Sequence, residues 1–197
     1  MRAQAHTLEA VTASIVVLAS VVFALQVTAV TPLSASTASQ HIENQQQSSA
    51  AGVLDATRDS GALETAVAYW DDTNGTLHGT SGGGYTTNEE VNRTALGRML
   101  LDTFENRGVA FNVYLTYTSD TGSIARKRFI YRGQPSDNAA TATTTVALYD
   151  DDHIYAADET PTNTTLNGSS TYDALIPPGS STGLYNVVRV EVVVWRM

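Results

Sequence analysis

Residues 2–30 read RAQAHTLEAVTASIVVLASVVFALQVTAV, and the nature of this stretch decides what the rest of the chain can be. From Ala10 to Val30 only Thr12, Ser14, Ser20, Gln26 and Thr28 interrupt apolar or small residues, and none of them is charged. About 20 residues at ~1.5 Å each cover the ~30 Å hydrocarbon layer of a bilayer. An extended segment there would leave its peptide groups without partners, so the stretch is predicted to be a membrane-spanning helix. It exceeds the ~7–15-residue apolar core of a secretory signal. The small residues Ala35-Ser36-Thr37-Ala38 lie well beyond its polar boundary. Arg2, under the positive-inside bias, places the short N-terminal side in the cytoplasm and the remainder outside. The division this implies is a polar leader over 1–9, a transmembrane helix over 10–30, a helical extension or stalk over 31–60, and an extracytoplasmic domain over 61–197.

Beyond the anchor, Pro32 is expected to kink or stop the helix, because proline lacks an N–H and clashes with the preceding turn. Residues 33–59 are helix-compatible, with a weak stripe through Ala35, Ala38, Ile42, Ser49, Val53 and Ala56. The expectation is a second helical half that lays Val53 and Leu54 on the domain, with a flexible stalk as the alternative. Residues 62–70 read equally as short helix or strand. Residues 71–88, DDTNGTLHGTSGGGYTTN, are turn-rich loop. An amphipathic helix follows, capped by Thr87 or Asn88 and closed by Arg107-Gly108, with Val91, Ala95, Met99, Leu100 and Phe104 as its apolar face.

From Val109 the period changes to two. Phe111, Val113, Leu115 and Tyr117 alternate with Ala110, Asn112, Tyr114 and Thr116, predicting a half-buried strand. Residues 124–132 return as its partner, with Arg126, Arg128 and Arg132 on one face and Lys127, Phe129 and Tyr131 on the other. Residues 139–149 give a third strand, ending in the turn Asp150-Asp151-Asp152-His153, and 158–183 read as a long polar loop. The closing YNVVRVEVVVWRM alternates Val188, Val190, Val192 and Val194 with Arg189, Glu191, Val193 and Trp195. So apolar a strand belongs centrally in a sheet, with a helix over its valine face. The fold class is α+β: a long N-terminal membrane helix continuing into the domain, a second amphipathic helix, and an antiparallel sheet of about four strands.

The net charge of −9 excludes nucleic acid as a partner, since phosphates demand a basic face. Ten of the eleven cations are Arg, Lys127 being the lone lysine, and there is no cysteine. Disulfides, thiolate metal sites and Cys nucleophiles are thereby removed together. His6, His41, His78 and His153 lack metal-ligand spacing, and Gly82-Gly83-Gly84 lacks the Lys-Ser/Thr of a phosphate loop. Clustered carboxylates such as 150–152 can hold Ca²⁺, but the spaced ligands and central Gly of an EF-hand are missing, so the run is read as turn chemistry. No catalytic, cofactor or metal residue is assigned. The sequons Asn74-Gly-Thr, Asn163-Thr-Thr and Asn167-Gly-Ser are candidate N-glycan acceptors if the domain faces outward, while Asn92-Arg-Thr lies in the first turn of a helix.

Glu9 stands at the mouth of the apolar run, where a carboxylate caps a helix dipole or meets a partner charge. The short leader Arg2-Ala3-Gln4-Ala5-His6-Thr7-Leu8-Glu9 followed by ~20 apolar residues resembles the type IV prepilin or archaeal class III signal segment. The resemblance implies a prepilin-type peptidase that cuts before the helix, after Ala3 or after Gln4, leaving Gln4 or Ala5 first. It also implies that Glu9 pairs with the new amino terminus of a neighbouring subunit. The acidic, lysine-poor composition resembles that of salt-loving archaea, and the whole chain is similar to haloarchaeal pilin-like membrane proteins. The expected function is a membrane-anchored, non-catalytic structural or interaction subunit, with the bilayer and like subunits as partners. The alternatives are an uncleaved single-pass protein whose outer domain binds a ligand through the 71–88 and 158–183 loops, and, third, an enzymatic ectodomain.

Overall fold

The computed structural model describes residues 2–179 and 183–196, with side chains throughout except at 2–5 and 27–39. The chain falls into two compact units, Met1–Ile42 and Glu43–Met197. One helix, α1 (Arg2–Asp59), contributes to both.

Within the first unit, His6–Gln26 is helical with a mean hydropathy of 2.3, and none of it is buried inside the chain. Ile15, Leu18 and Phe23 stand at least 60% exposed. The few hydroxyls in this stretch satisfy themselves: Thr12 donates to the Leu8 and Glu9 carbonyls, Ser14 to Ala10, and Ser20 to Val16. Bonding back to the preceding turn spares them a solvent partner. The segment is thus long and apolar enough to cross a membrane. Of the two outcomes open at Pro32, a kink or a stop, the stop does not occur: α1 continues through it. Proline removes one N–H from the ladder without ending the helix. Ala35 and Ala38 of the expected stripe lie outside the described side chains.

In the second unit the last turns of α1 bury Gln46, Ala50, Val53, Leu54 and Thr57. Val53 and Leu54 lie in the core as expected, but Ala56 is exposed and Ser49 half-buried. Leucine and valine outweigh small residues in choosing the buried face. Gly61 (φ 75°) turns the chain into α2 (Ala62–Val67). A short hairpin, β1 (Trp70–Asp71) with β2 (Thr76–Leu77), opens the turn-rich stretch.

The single helix expected from 88 to 107 is divided. Thr87 and Glu90 form a reciprocal capping box on α3 (Asn88–Val91), and Thr94 caps α4 (Ala95–Phe104) by accepting from the Gly97 N–H. A 3₁₀ turn, Glu105–Arg107, ends at left-handed Gly108. The break advances the phase, so Leu96 and Gly97 are buried where Ala95 and Met99 were expected.

The main sheet is antiparallel, in the order β4-β3-β8-β5, from β3 (Val109–Thr118), β4 (Ile124–Ile130), β5 (Ala140–Tyr149) and β8 (Leu184–Arg196). Strand β8 is central, as its composition requires, and Val188, Val190, Val192 and Val194 are fully buried. This face shares one core with Leu54, Leu63, Leu96, Leu100 and Phe104 from the helices. Strand β3 is buried on both faces, not half-buried. Ala110 and Tyr114 pack with Val193 and Trp195 on the far side, with Tyr131 and Ala139 against them. Buried Asn112 donates Nδ2–H to the Gly133 carbonyl (2.8 Å) and accepts from the Arg132 N–H (2.7 Å), pinning that segment.

Residues 158–183, expected to be open loop, carry structure among those described. Strand β7 (Pro161–Thr165) pairs with β6 (His153–Tyr155), and Leu166, Tyr172, Leu175 and Ile176 are buried. Aromatic and aliphatic residues spaced irregularly among polar ones carry no period, so packing decides them.

Candidate functional site

Two regions carry the residues singled out above. In α1, Glu9 is 80% exposed, and its carboxylate lies 3.7 Å from Nδ1 of His6. Two residues spaced i, i+3 on a helix meet in this way, so His6 is a partner for Glu9 within the chain. Ala3, Gln4 and Ala5 belong to α1, and their side chains lie outside those described.

The second region is a cleft of ≈ 690 Å³ beside β4. It brings together three stretches distant in sequence: Gly82–Gly84, the basic run Arg126-Lys127-Arg128, and Ala174-Leu175. Strand β4 is an edge of the sheet. At its far end the backbone of Tyr85 closes the edge, its N–H donating to the Phe129 carbonyl and its carbonyl accepting from the Tyr131 N–H, both at 2.8 Å. Gly84 permits this approach, since a Cβ there would lie 2.6 Å from the carbonyl oxygens of Arg128 and Phe129.

The three arginines expected on one face do not share it. A bulge opposite Val113 and Tyr114 shifts the register, so Arg128 stays exposed while Phe129 and Ile130 are both buried. The Arg126 guanidinium lies 3.6 Å over the Tyr114 ring and pairs with Glu191 at 2.9 Å. Arg128 lies 4.1 Å over Tyr131, and among the described residues no carboxylate pairs with it. Arg132 turns instead to Asn88, Glu105 and the ring of Phe111. Lys127 donates to the Ala174 carbonyl, and partial burial lowers its pKa.

The sequon asparagines Asn74, Asn163 and Asn167 are exposed, as is Asn92. The Asn74 amide donates to Asp71 (2.7 Å), whose carboxyl that bond and two backbone N–H groups hold below its usual range. In the acidic turn, Asp152 accepts from the Tyr149 N–H at 2.6 Å. His78 sits beside the Tyr69 ring and bonds the Tyr155 carbonyl through Nε2 (3.0 Å). Among the described residues no group of three His, Asp or Glu is placed to share a metal ion. The glycine triplet and the basic run were each visible in the sequence. Their meeting was not, because it depends on β4 being an edge strand.

A sequence-family model described as a family of unknown function (DUF7288) matches residues 2–194. No curated protein and no solved structure matches the chain.

Proposed function

We propose, for a chain that belongs to DUF7288, that it is a membrane-anchored, non-catalytic structural or interaction subunit of type IV pilin-like kind, working in a surface filament or its assembly machinery. The observation that carries this reading is α1. One unbroken helix holds an unburied apolar stretch, His6–Gln26, and ends with Ala50, Val53 and Leu54 in the core of an α+β unit. Exposed leucine, valine and phenylalanine over five turns are costly in water, so lipid or the same helix of other subunits covers them. Glu9, at the start of that stretch, then needs a cationic partner in the membrane. The new amino terminus of a neighbouring subunit would supply it.

Intact mass of the membrane-extracted protein tests the processing step, with loss of residues 1–3 or 1–4 expected. Glu9→Gln should leave the protein in the membrane and remove it from sheared filaments. The basic cleft favours a second reading, an uncleaved single-pass protein whose outer domain binds a partner. A full-length mass together with a Glu9→Gln variant that behaves as wild type selects that reading.

A further inference from the structure

We infer that the cleft beside β4 receives the Asp150-Asp151 turn of a second copy of this chain. The inference rests on the subunit reading and specifies one contact between subunits. The sheet order places β4 and β5 on opposite edges of one four-stranded sheet. One edge carries Arg126, Lys127 and Arg128, and the other runs into Asp150-Asp151-Asp152. Charges of opposite sign on opposite edges make a contact that joins unlike surfaces, and its repetition leaves both ends open to further copies.

The cleft suits carboxylates. The Arg128 guanidinium lies over the Tyr131 ring, with its N–H edge left to grip an anion in two-pronged fashion. Arg126 already holds Glu191, whereas Arg128 has no carboxylate among the described residues. The net charge of −9 sets copies of the chain against one another, and a site of opposite charge offsets that repulsion locally.

The choice of occupant follows from how the other adjacent acids are used. Asp71 and Asp72 hold Thr73, Asn74, Ser169 and Thr171, and Asp158 and Glu159 hold Thr160, Ala95 and Arg98. Glu90 is spent on the capping box. At the end of β5, Asp152 holds the turn through Tyr149, and the Asp150 N–H bonds the Gly183 carbonyl. Among the described residues the carboxylates of Asp150 and Asp151 accept no hydrogen bond and no ion pair, so the turn is braced with two carboxylates to offer.

The absence of native cysteine makes the test clean. Full-length Thr76→Cys, at the cleft, is mixed in detergent micelles with full-length His153→Cys, beside the turn, and oxidised. The mixed cross-linked dimer should clearly exceed the two homodimers taken together, which is more than random pairing gives. Adding Arg128→Glu to the first chain, or Asp151→Lys to the second, should lower its yield roughly tenfold or more, and combining both reversals should restore it. Thermal melting of each variant checks that the fold survives. No mixed dimer, or a yield unchanged by Arg128→Glu because the arginines only guard a sheet edge, overturns the inference. Intact mass and the Glu9→Gln experiment are independent of this result, so either reading can fail alone.

Discussion

A methyl group on Gly97 would lie 1.7 Å from the carbonyl oxygen of Val91, backbone that cannot step aside. Gly97→Ala should therefore cost about 2–3 kcal/mol, read as a lowered denaturation midpoint. Three buried tyrosines offer a sharper comparison. The hydroxyl of Tyr185 donates to the Ile176 carbonyl at 2.9 Å and that of Tyr172 to Val67 at 3.2 Å, while that of Tyr85 has no partner among the described residues. Tyr185→Phe should lose roughly 1 kcal/mol, and Tyr85→Phe should lose nothing or gain stability, since it removes a desolvated polar group. Burial, foremost, pushes all three pKa values above the ordinary tyrosine value. Their neutral forms stabilise the fold fully below about pH 10, the unfolded value, and the contribution is lost as pH rises above it. In an alkaline titration, tyrosinate absorbance should rise together with the loss of circular dichroism.

At the scale of elements, α4 depends on Thr94, whose side chain caps it and which is fully enclosed. Thr94→Ala should cost about 1–2 kcal/mol by thermal melting, with Thr94→Ser retaining most of the stability. Helix α1 is predicted to resist carbonate extraction, and Leu18→Arg should release the protein, because an arginine mid-helix is costly in lipid. These elements also show what the sequence could reveal. The apolar run of α1 and the valine alternation of β8 each exceed any competing period, and both were legible. The break at Asn92–Thr94 was not, because a threonine inside an amphipathic pattern reads as helix until its side chain takes the Gly97 N–H. The bulge in β4 was equally hidden, as was the packing of Tyr172, Leu175 and Ile176, so the cleft that Leu175 lines could not be assembled from its parts.

At the scale of the molecule, the compact unit opens at Glu43, inside α1. A chain beginning at Glu43 should unfold cooperatively. One beginning at Ala62 forfeits buried Ala50, Val53 and Leu54, each larger side chain being worth about 2–5 kcal/mol, against a typical net stability of ~5–15. It should melt without a sharp transition. Strand β8 has its own consequence for biogenesis. It joins β3 to β5, yet it is synthesised after both. Until residue 196 has left the ribosome, the β3–β4 hairpin and the lone strand β5 wait with unsatisfied edges. A nascent chain tethered by its first helix would spend that interval under the care of holding factors, and a ribosome stalled before the last dozen codons would yield a substrate for quality-control proteases.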